Sequence, residues 1–300
     1  GYIGRYTVKR LLDEGHTVLD YHRDQQLPYE NPKHIFVHGE CYDVPRLLHV
    51  FKEYKVEAII HMAAQSSPWV SLEVPVQTME ANLMSTIAIL EAARMSGIKR
   101  VVMYSSECAY GEHGYDECNL DTALVPRTVY GVTKAGTEML GRVYNWQQGM
   151  SCVSIRCGRV YGGRQLTPNV MKSMLLAAVK GEKFTAPCGG DAFASFIHVD
   201  DIADITIRAT FMDAARVNDM AVYNACSQGA YLKDVLKIIK EIVPGFEYEM
   251  GPGLEEVNGI TNESQGVWDM SATYRDLDFK QKYTLKEGIK AYYEFLKDEG

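Results

Sequence analysis

Two apolar rhythms alternate along the 300 residues. Val8, Leu11 and Leu12 recur at helical spacing after Gly1-Tyr2-Ile3-Gly4, and Gly15-His16 ends that run. Short β-rich segments follow at 17–21 and 34–37, the latter closed by Gly39-Glu40-Cys41. A helical pattern over 44–54 leads to Ala58-Ile59-Ile60-His61, a buried strand that gives way to the small residues of Met62-Ala63-Ala64. The spacing then predicts one long helix over 76–96, a strand over 100–104 and a helix opened by Tyr130. Further on, Pro168 is placed to open an apolar helix over 169–180, Gly181 to Thr185 turns into a strand, and Asp200-Asp201 are placed to cap a helix over 202–213. A strand at 221–225 and amphipathic helices over 232–243 and 285–296 complete the pattern. Strand–helix alternation of this kind predicts a parallel sheet covered on both faces, since each crossover lays a helix on the sheet. A doubly wound sheet carries a strand before its first helix, and no strand precedes Gly1. The first strand and the first glycine of a dinucleotide fingerprint are therefore expected to be missing from this chain.

Composition narrows the class. A hydrophobic content of 46% with 23% charged residues describes a soluble globular protein with a real core. The net charge of −8 argues against nucleic acid or an anionic membrane as partner. Neither an apolar run long enough to span a bilayer nor a signal-peptide pattern is found. Seven cysteines, an odd number without a C-x-x-C pair, favour free thiols in a reducing compartment, and the cytoplasm is the default. No two- or three-histidine metal constellation occurs, and no tether divides the chain.

The candidate chemistry is local. Gly1-Tyr2-Ile3-Gly4 at a helix start suits a dinucleotide pyrophosphate, because small residues let the backbone and helix N-terminus approach phosphate. An acid after the second strand would hold ribose hydroxyls in an NAD site. The usual distance of about 18 residues falls instead on His22, beside Arg23, with Asp20 two positions earlier. An Arg without the acid leans toward a 2′-phosphate and NADP; Asp20 would serve NAD. Glu40 and Cys41 stand where an adenine could lie, and the Asn82 amide could fix a neighbouring backbone. Tyr130 and Lys134, four apart, share one helix face. Free phenol and ammonium titrate near pH 10 and 10.4, so neither is a base at neutral pH alone. A cation beside the phenol would favour its ionised form.

Gly1-x-x-Gly4, His61-x-Ala63-Ala64, Asn82, Ser105-Ser106 with Tyr110-Gly111, and Tyr130-x-x-x-Lys134 occur in this order. Arg156-x-x-Arg159-Val160-Tyr161-Gly162, Phe196 to Asp201, Asp269-Met270-Ser271 and Tyr283-Thr284-Leu285-x-Glu287-Gly288 follow. Together they resemble, nearly end to end, the extended short-chain dehydrogenase/reductase family, in its nucleotide-sugar epimerase and dehydratase branch. The resemblance implies a Rossmann-type α/β fold. A cofactor lobe over 1–160 with returning segments near 195–226 would face a smaller, substrate-binding lobe drawn mostly from 161–300. It implies an NAD(P)-dependent enzyme acting on a secondary alcohol or ketone of a sugar or sugar-like molecule, with Ser106, Tyr130 and Lys134 as catalytic set. Gly1, Tyr2, Ile3 and Gly4, Asp20, His22, Arg23, Glu40, Cys41, Ala63, Ala64 and Asn82 fall on the cofactor side, together with Tyr130 and Lys134. Ser66, Ser106, Glu107, Arg159 and Arg164 fall on the substrate side. A homodimer through the helices at 76–96 and 129–149 is the family's expectation.

Three positions depart from the pattern. Dehydratases of the family place Asp-Glu after the catalytic hydroxyl; Glu107-Cys108 stand here, which counts against sugar dehydration. A Cys two residues after the catalytic Ser occurs in family epimerases that invert positions 3 and 5, where a thiolate can take a proton beside a ketone. That makes Cys108 a further catalytic candidate, against the plainer reading of a small wall residue. Many nucleotide-sugar members carry Asn where Arg159 stands and Arg-Asp at Ala194-Ser195, so the diphosphate anchor is altered. A reductase or dehydrogenase of a smaller alcohol, aldehyde or sugar acid is the alternative, and a non-catalytic cofactor sensor a third. His198 reads as structural.

Overall fold

The computed structural model describes residues 1–24, 29–165, 169–257, 260–262 and 265–299. Helix α1 (Tyr2–Asp13) leads into β1 (Val18–His22), which pairs in parallel with β2 (His34–His38). Helix α2 (Val44–Glu53) connects to β3 (Ala58–His61). After α3 (Pro68–Glu73), α4 (Pro75–Met79), a π-helical turn (Glu80–Met84) and α5 (Ser85–Met95), the chain enters β4 (Arg100–Ser106) and the short α6 (Glu107–Tyr110). Helix α7 (Val129–Gln148) precedes β5 (Ser151–Cys157) and β6 (Arg159–Tyr161). The C-terminal part adds α8 (Val170–Lys180), β7 (Phe184–Ala186), β8 (Phe193–His198), α9 (Val199–Phe211), β9 (Val222–Ala225), β10 (Gln228–Tyr231), α10 (Leu232–Ile242), β11 (Tyr248–Met250), α11 (Ser271–Asp276) and α12 (Leu285–Glu299).

Strands β3, β4, β5 and β9 form a parallel four-stranded sheet in the order β3-β4-β5-β9. Their interiors are continuous apolar runs such as Val101-Val102-Met103, fully buried, as a sheet covered on both faces requires. One core lies between α2, α5 and one sheet face, a second between the other face and α9. A third packs α8, α10 and α12 around β8. The sheet β6-β8-β10 is mixed, β6 running parallel and β10 antiparallel to β8. This is the α/β Rossmann-like architecture that the alternation predicts.

Two local expectations are corrected. The helix foreseen over 76–96 is not one regular helix. The Ser85 hydroxyl donates to the Ala81 carbonyl at 2.7 Å and Thr86 to that of Asn82 at 2.7 Å, so side chains compete for the carbonyls at the π turn. The helix placed at 202–213 starts earlier, at Val199, and His198 rather than the aspartates caps it by accepting from the Asp200 amide at 3.3 Å. Asp200 and Asp201 sit in its first turn, where negative charge complements the helix dipole. Pro168 lies outside the described residues.

Candidate active site

Strand β4 runs to Ser106, whose extended backbone (φ −156°, ψ 160°) turns the chain directly into α6. The Ser106 hydroxyl caps that helix, accepting from the Cys108 amide at 3.3 Å, and is close enough to Tyr130 to favour its ionised form. Helix α7 lies against β4 and β5, with Thr128 as N-cap, so Tyr130 and Lys134 arrive in its first turns facing the strand end. Gly131 makes the approach possible: a Cβ there would stand 2.3 Å from the Cys108 carbonyl oxygen. The Tyr130 amide donates to the buried Ser71 hydroxyl at 3.1 Å, which ties α3 to the start of α7. Lys134 places Nζ 5.5 Å from the centre of the Tyr130 ring and donates to the Tyr104 carbonyl at 2.8 Å. The structure thus brings Ser106, Tyr130 and Lys134 together, all buried.

Burial dominates their electrostatics. It pushes the Tyr130 phenol well above its ordinary value, and Cys108 and Cys157 add to the shift while the Ser106 hydrogen bond opposes it. The depression expected from Lys134 is therefore reversed in the protein by itself, because desolvation of the phenolate outweighs a cation already partly desolvated. Lys134 is lowered to about 8, again by burial, with Cys157 and Cys108 working the other way. His61, in the field of that cation, is driven down to about 4 by burial and then by Lys134. Cys157 lies opposite Ser106 in the β4–β5 register, its thiol pushed up to about 12 by burial.

On the substrate side, Glu107 Oε1 lies 3.6 Å from Arg159 Nε, and Arg159 Nη1 donates to Glu255 Oε2 at 2.7 Å. Cys108 is buried in α6, close enough to act electrostatically on Tyr130, Lys134 and Arg159. Ser66 is exposed in the segment after β3. Arg164 does not join this group. It sits exposed at φ +59°, where its charge acts on Tyr6 and Tyr29, and Tyr29 in turn responds to Asp20.

The cofactor-side residues surround the start of α1. A Cβ on Gly1 would meet nothing within 4 Å, and one on Gly4 only Met62 Sδ at 3.7 Å, so no internal packing demands either glycine. The helix has no side-chain cap, leaving its first N–H groups for an anion. Tyr2 Oη and Arg5 Nε are buried without a partner, and Ile3 packs on the sheet core. These features fit a dinucleotide. On β1 the Asp20 carboxylate lies 3.5 Å from His34 Nε2 and 3.6 Å from His22 Nε2, while Arg23 is exposed. The Glu40 carbonyl accepts from Tyr21 Oη at 3.1 Å, and the Cys41 thiol is pushed up to about 11 by burial. Ala63 is exposed and Ala64 half-buried. Asn82 fixes a backbone: Oδ1 accepts from the Gln65 amide at 2.7 Å, and Nδ2 donates to the Gln65 carbonyl and to Thr133 Oγ1, each at 3.0 Å. Its amide is committed to joining the β3 exit with α7.

Three contributors escape sequence reasoning. Glu138, one turn beyond Lys134, holds buried Arg156 through two bonds of 2.9 and 2.6 Å and also accepts from Ser105. Its i+4 spacing from Lys134 was the available signal. Ser71 and Glu255 carry no local signature. Among the described residues there is no group of His, Cys, Asp and Glu that could hold a metal, and no helix long and apolar enough to cross a membrane.

Comparison with known proteins agrees with this fold. A putative UDP-glucose 4-epimerase of Methanocaldococcus jannaschii is 28% identical over 308 residues, covering 99% of this chain and 96% of that one. The solved UDP-glucose 4-epimerase of Thermotoga maritima, with UDP-glucose, superposes with a TM-score of 0.87 at 22% identity over 100% of this chain and 96% of that one. That of Thermus thermophilus, a complex with NAD, gives 0.83 at 25% identity over 98% and 96%. The family model described as NAD dependent epimerase/dehydratase matches residues 1–226. The chain belongs to the NAD dependent epimerase/dehydratase family, and its relatives are enzymes of the extended short-chain dehydrogenase/reductase type.

Proposed function

We propose that this protein is an epimerase of a nucleotide-linked sugar, using NAD and passing through a ketone at the carbon it inverts. The observation that carries the reading is the convergence of buried Ser106, Tyr130 and Lys134, with Lys134 Nζ 5.5 Å from the Tyr130 ring centre and Ser106 close enough to favour the ionised phenol. NAD, when bound, supplies the acceptor for the substrate's hydride and returns it. Tyr130 Oη takes the proton of the substrate hydroxyl as that carbon is oxidised and gives it back on reduction. The Ser106 hydroxyl donates to the same substrate oxygen and stabilises the charge it develops. Lys134 places a cation beside the phenol, and a positively charged oxidised nicotinamide adds to it, countering the burial that holds the phenol protonated. Gly1 and Gly4 leave room at the α1 N-terminus for the pyrophosphate, and Asp20 is positioned to accept from ribose hydroxyls. The lean to NADP gives way to NAD, because Arg23 is exposed whereas Asp20 is partly enclosed by two histidines, and solved neighbours are complexes with NAD.

Cys108 in the place of a second carboxylate speaks against dehydration. The test is incubation of the NAD-loaded protein with UDP-glucose and separation of its 4-epimer. Conversion without net NADH supports the reading; net NADH formation would favour a dehydrogenase. Solvent deuterium in the product would implicate Cys108 as a base and displace the simple hydride route. An exposed apolar stripe on α7, formed by Val132, Met139, Val143 and Trp146, supports a homodimer, which Trp146→Glu should disrupt in sedimentation.

A further inference from the structure

Arg159 opens β6 two residues beyond the end of β5, whose last residue, Cys157, lies opposite Ser106 in the sheet register. Glu107, its first carboxylate, follows Ser106 directly in the chain. Cys108 acts electrostatically on both Tyr130 and Arg159, so the two lie within reach of one small space. The second carboxylate comes from far away. Glu255 Oε2 accepts from Arg159 Nη1 at 2.7 Å and from Asn262 Nδ2 at 2.9 Å. The Asn262 amide donates to the Glu255 carbonyl at 2.8 Å. The preceding turn is pinned by the Gly253 amide donating to the Asp191 carboxylate at 2.8 Å and the Asp191 amide donating to the Gly253 carbonyl at 3.0 Å. Glu255 is thus held in place against Arg159. Burial works against its ionisation, yet Arg159 and Asn262 hold its carboxyl below the usual range. Burial also opposes charge on Arg159, but Glu255 and Glu107 keep its guanidinium protonated.

Two carboxylates thus flank one cation, and the first of them directly follows Ser106. We propose that Glu255 is a specificity-determining residue: by occupying Arg159 it closes the site to sugars bearing a carboxylate and reserves it for neutral hexosyl groups, whose hydroxyls can donate to the paired carboxylates. This rests on the nucleotide-sugar reading and deepens it. An arginine with a free face would accept a carboxylate in a bidentate pair; here Nη1 is given to Glu255 and Nε faces Glu107. An anionic ring substituent would meet like charge in a poorly solvated space.

The experiment is competition binding to the NAD-loaded protein, with UDP-glucose against UDP-glucuronic acid. The wild type should prefer UDP-glucose by at least about tenfold. Glu255→Gln should shift that ratio toward the uronate by about tenfold or more, since it exposes the Arg159 charge. The double variant Glu255→Gln/Arg159→Gln should return the preference to the neutral sugar, a restoration that a purely structural role for Glu255 would not produce. Equal or reversed preference in the wild type would overturn the inference while leaving the nucleotide-sugar reading standing, and so would a ratio unmoved by Glu255→Gln. Binding of neither compound would remove that reading and the inference with it. A wild-type ratio that does not favour UDP-glucose overturns the inference even if the variants fail to fold.

Discussion

Two successive stretches of helix α7 carry buried polar groups of opposite character. In the first, Tyr130 and Lys134 are held with few partners and titrate far from their ordinary ranges. In the next turn, Glu138 and Arg156 are paired at 2.6–2.9 Å, with Ser105 donating to the same carboxylate and the guanidinium 4.1 Å from the Tyr110 ring centre. Tyr110 extends the network to Asn119 and Asn224. Burial is nearly the same in both, so the pairing of opposite charges separates them. The ion-paired network fixes the strand ends, with Arg156 Nη1 alone of that guanidinium left without a partner among the described residues, whereas a desolvated phenol and ammonium are shifted in the way that proton transfer uses.

The sharpest way to separate them is Tyr130→Phe. Turnover should fall by about 10²–10⁴-fold while NAD binding persists, since a positioned acid/base is worth that much. The melting temperature should hold or rise, because one buried hydroxyl is removed. Retained turnover on a demonstrated substrate would end the proposed mechanism. Glu138→Ala is the counterpart: it strands the Arg156 charge and should cost about 3–5 kcal/mol in denaturant unfolding. A loss below about 1 kcal/mol, the range of a surface pair, would show that the network is not structural.

A smaller effect tests the desolvated stretch by pH. The Lys134 ammonium falls from 10.5 to about 8 on folding, so between those values the unfolded chain binds more protons and this residue's contribution to stability rises with pH. The shift corresponds to about 3 kcal/mol. Buried cysteines titrate in the same range with the opposite sign, so the quantity to follow is the difference between wild type and Lys134→Met. The Met variant should be the more stable below pH 8 and lose that advantage as pH rises toward 10.5. A difference independent of pH would mean that Lys134 is not desolvated.

The fold was legible because its signal is periodic and local. Apolar runs such as Ala58–His61 and Val101–Met103 mark buried parallel strands within a few residues, and Tyr130 with Lys134 share a face by helix geometry alone. Phenomena that depend on long-range packing were not legible. The sign of the Tyr130 shift is set by burial under α6 and β5, which no spacing reveals. Arg159 and Arg164 look alike in sequence, yet one is bound between Glu107 and Glu255 and the other stands beside Tyr6 and Tyr29. Ser71 reaches the Tyr130 amide from 59 residues away, and Glu255 reaches Arg159 from 96. Ordinary serines and glutamates carry no mark of such partners.

Gly131 is where the two demands meet, and its substitution is the mildest of the tests. The residue lies in the catalytic stretch, yet its role is packing: a Cβ would enter to 2.3 Å of the Cys108 carbonyl and 2.9 Å of Pro126 Cβ. The carbonyl is backbone and cannot swing aside, so α7 would have to move away from α6. Overpacking of this kind costs about 1–3 kcal/mol. The displacement also separates Tyr130, borne by α7, from Ser106, which caps α6. Gly131→Ala should therefore lower stability and turnover together, unlike Tyr130→Phe, which spares stability, and unlike Lys134→Met, which should raise it below pH 8. Because misplacement by about 1 Å can cost on the order of 10²-fold in rate, turnover should suffer more than the modest unfolding change suggests. If Gly131→Ala melts earlier but turns over normally, the α6–α7 contact does not set the Ser106–Tyr130 distance, and Ser71 at the α3 junction becomes the element that positions the phenol.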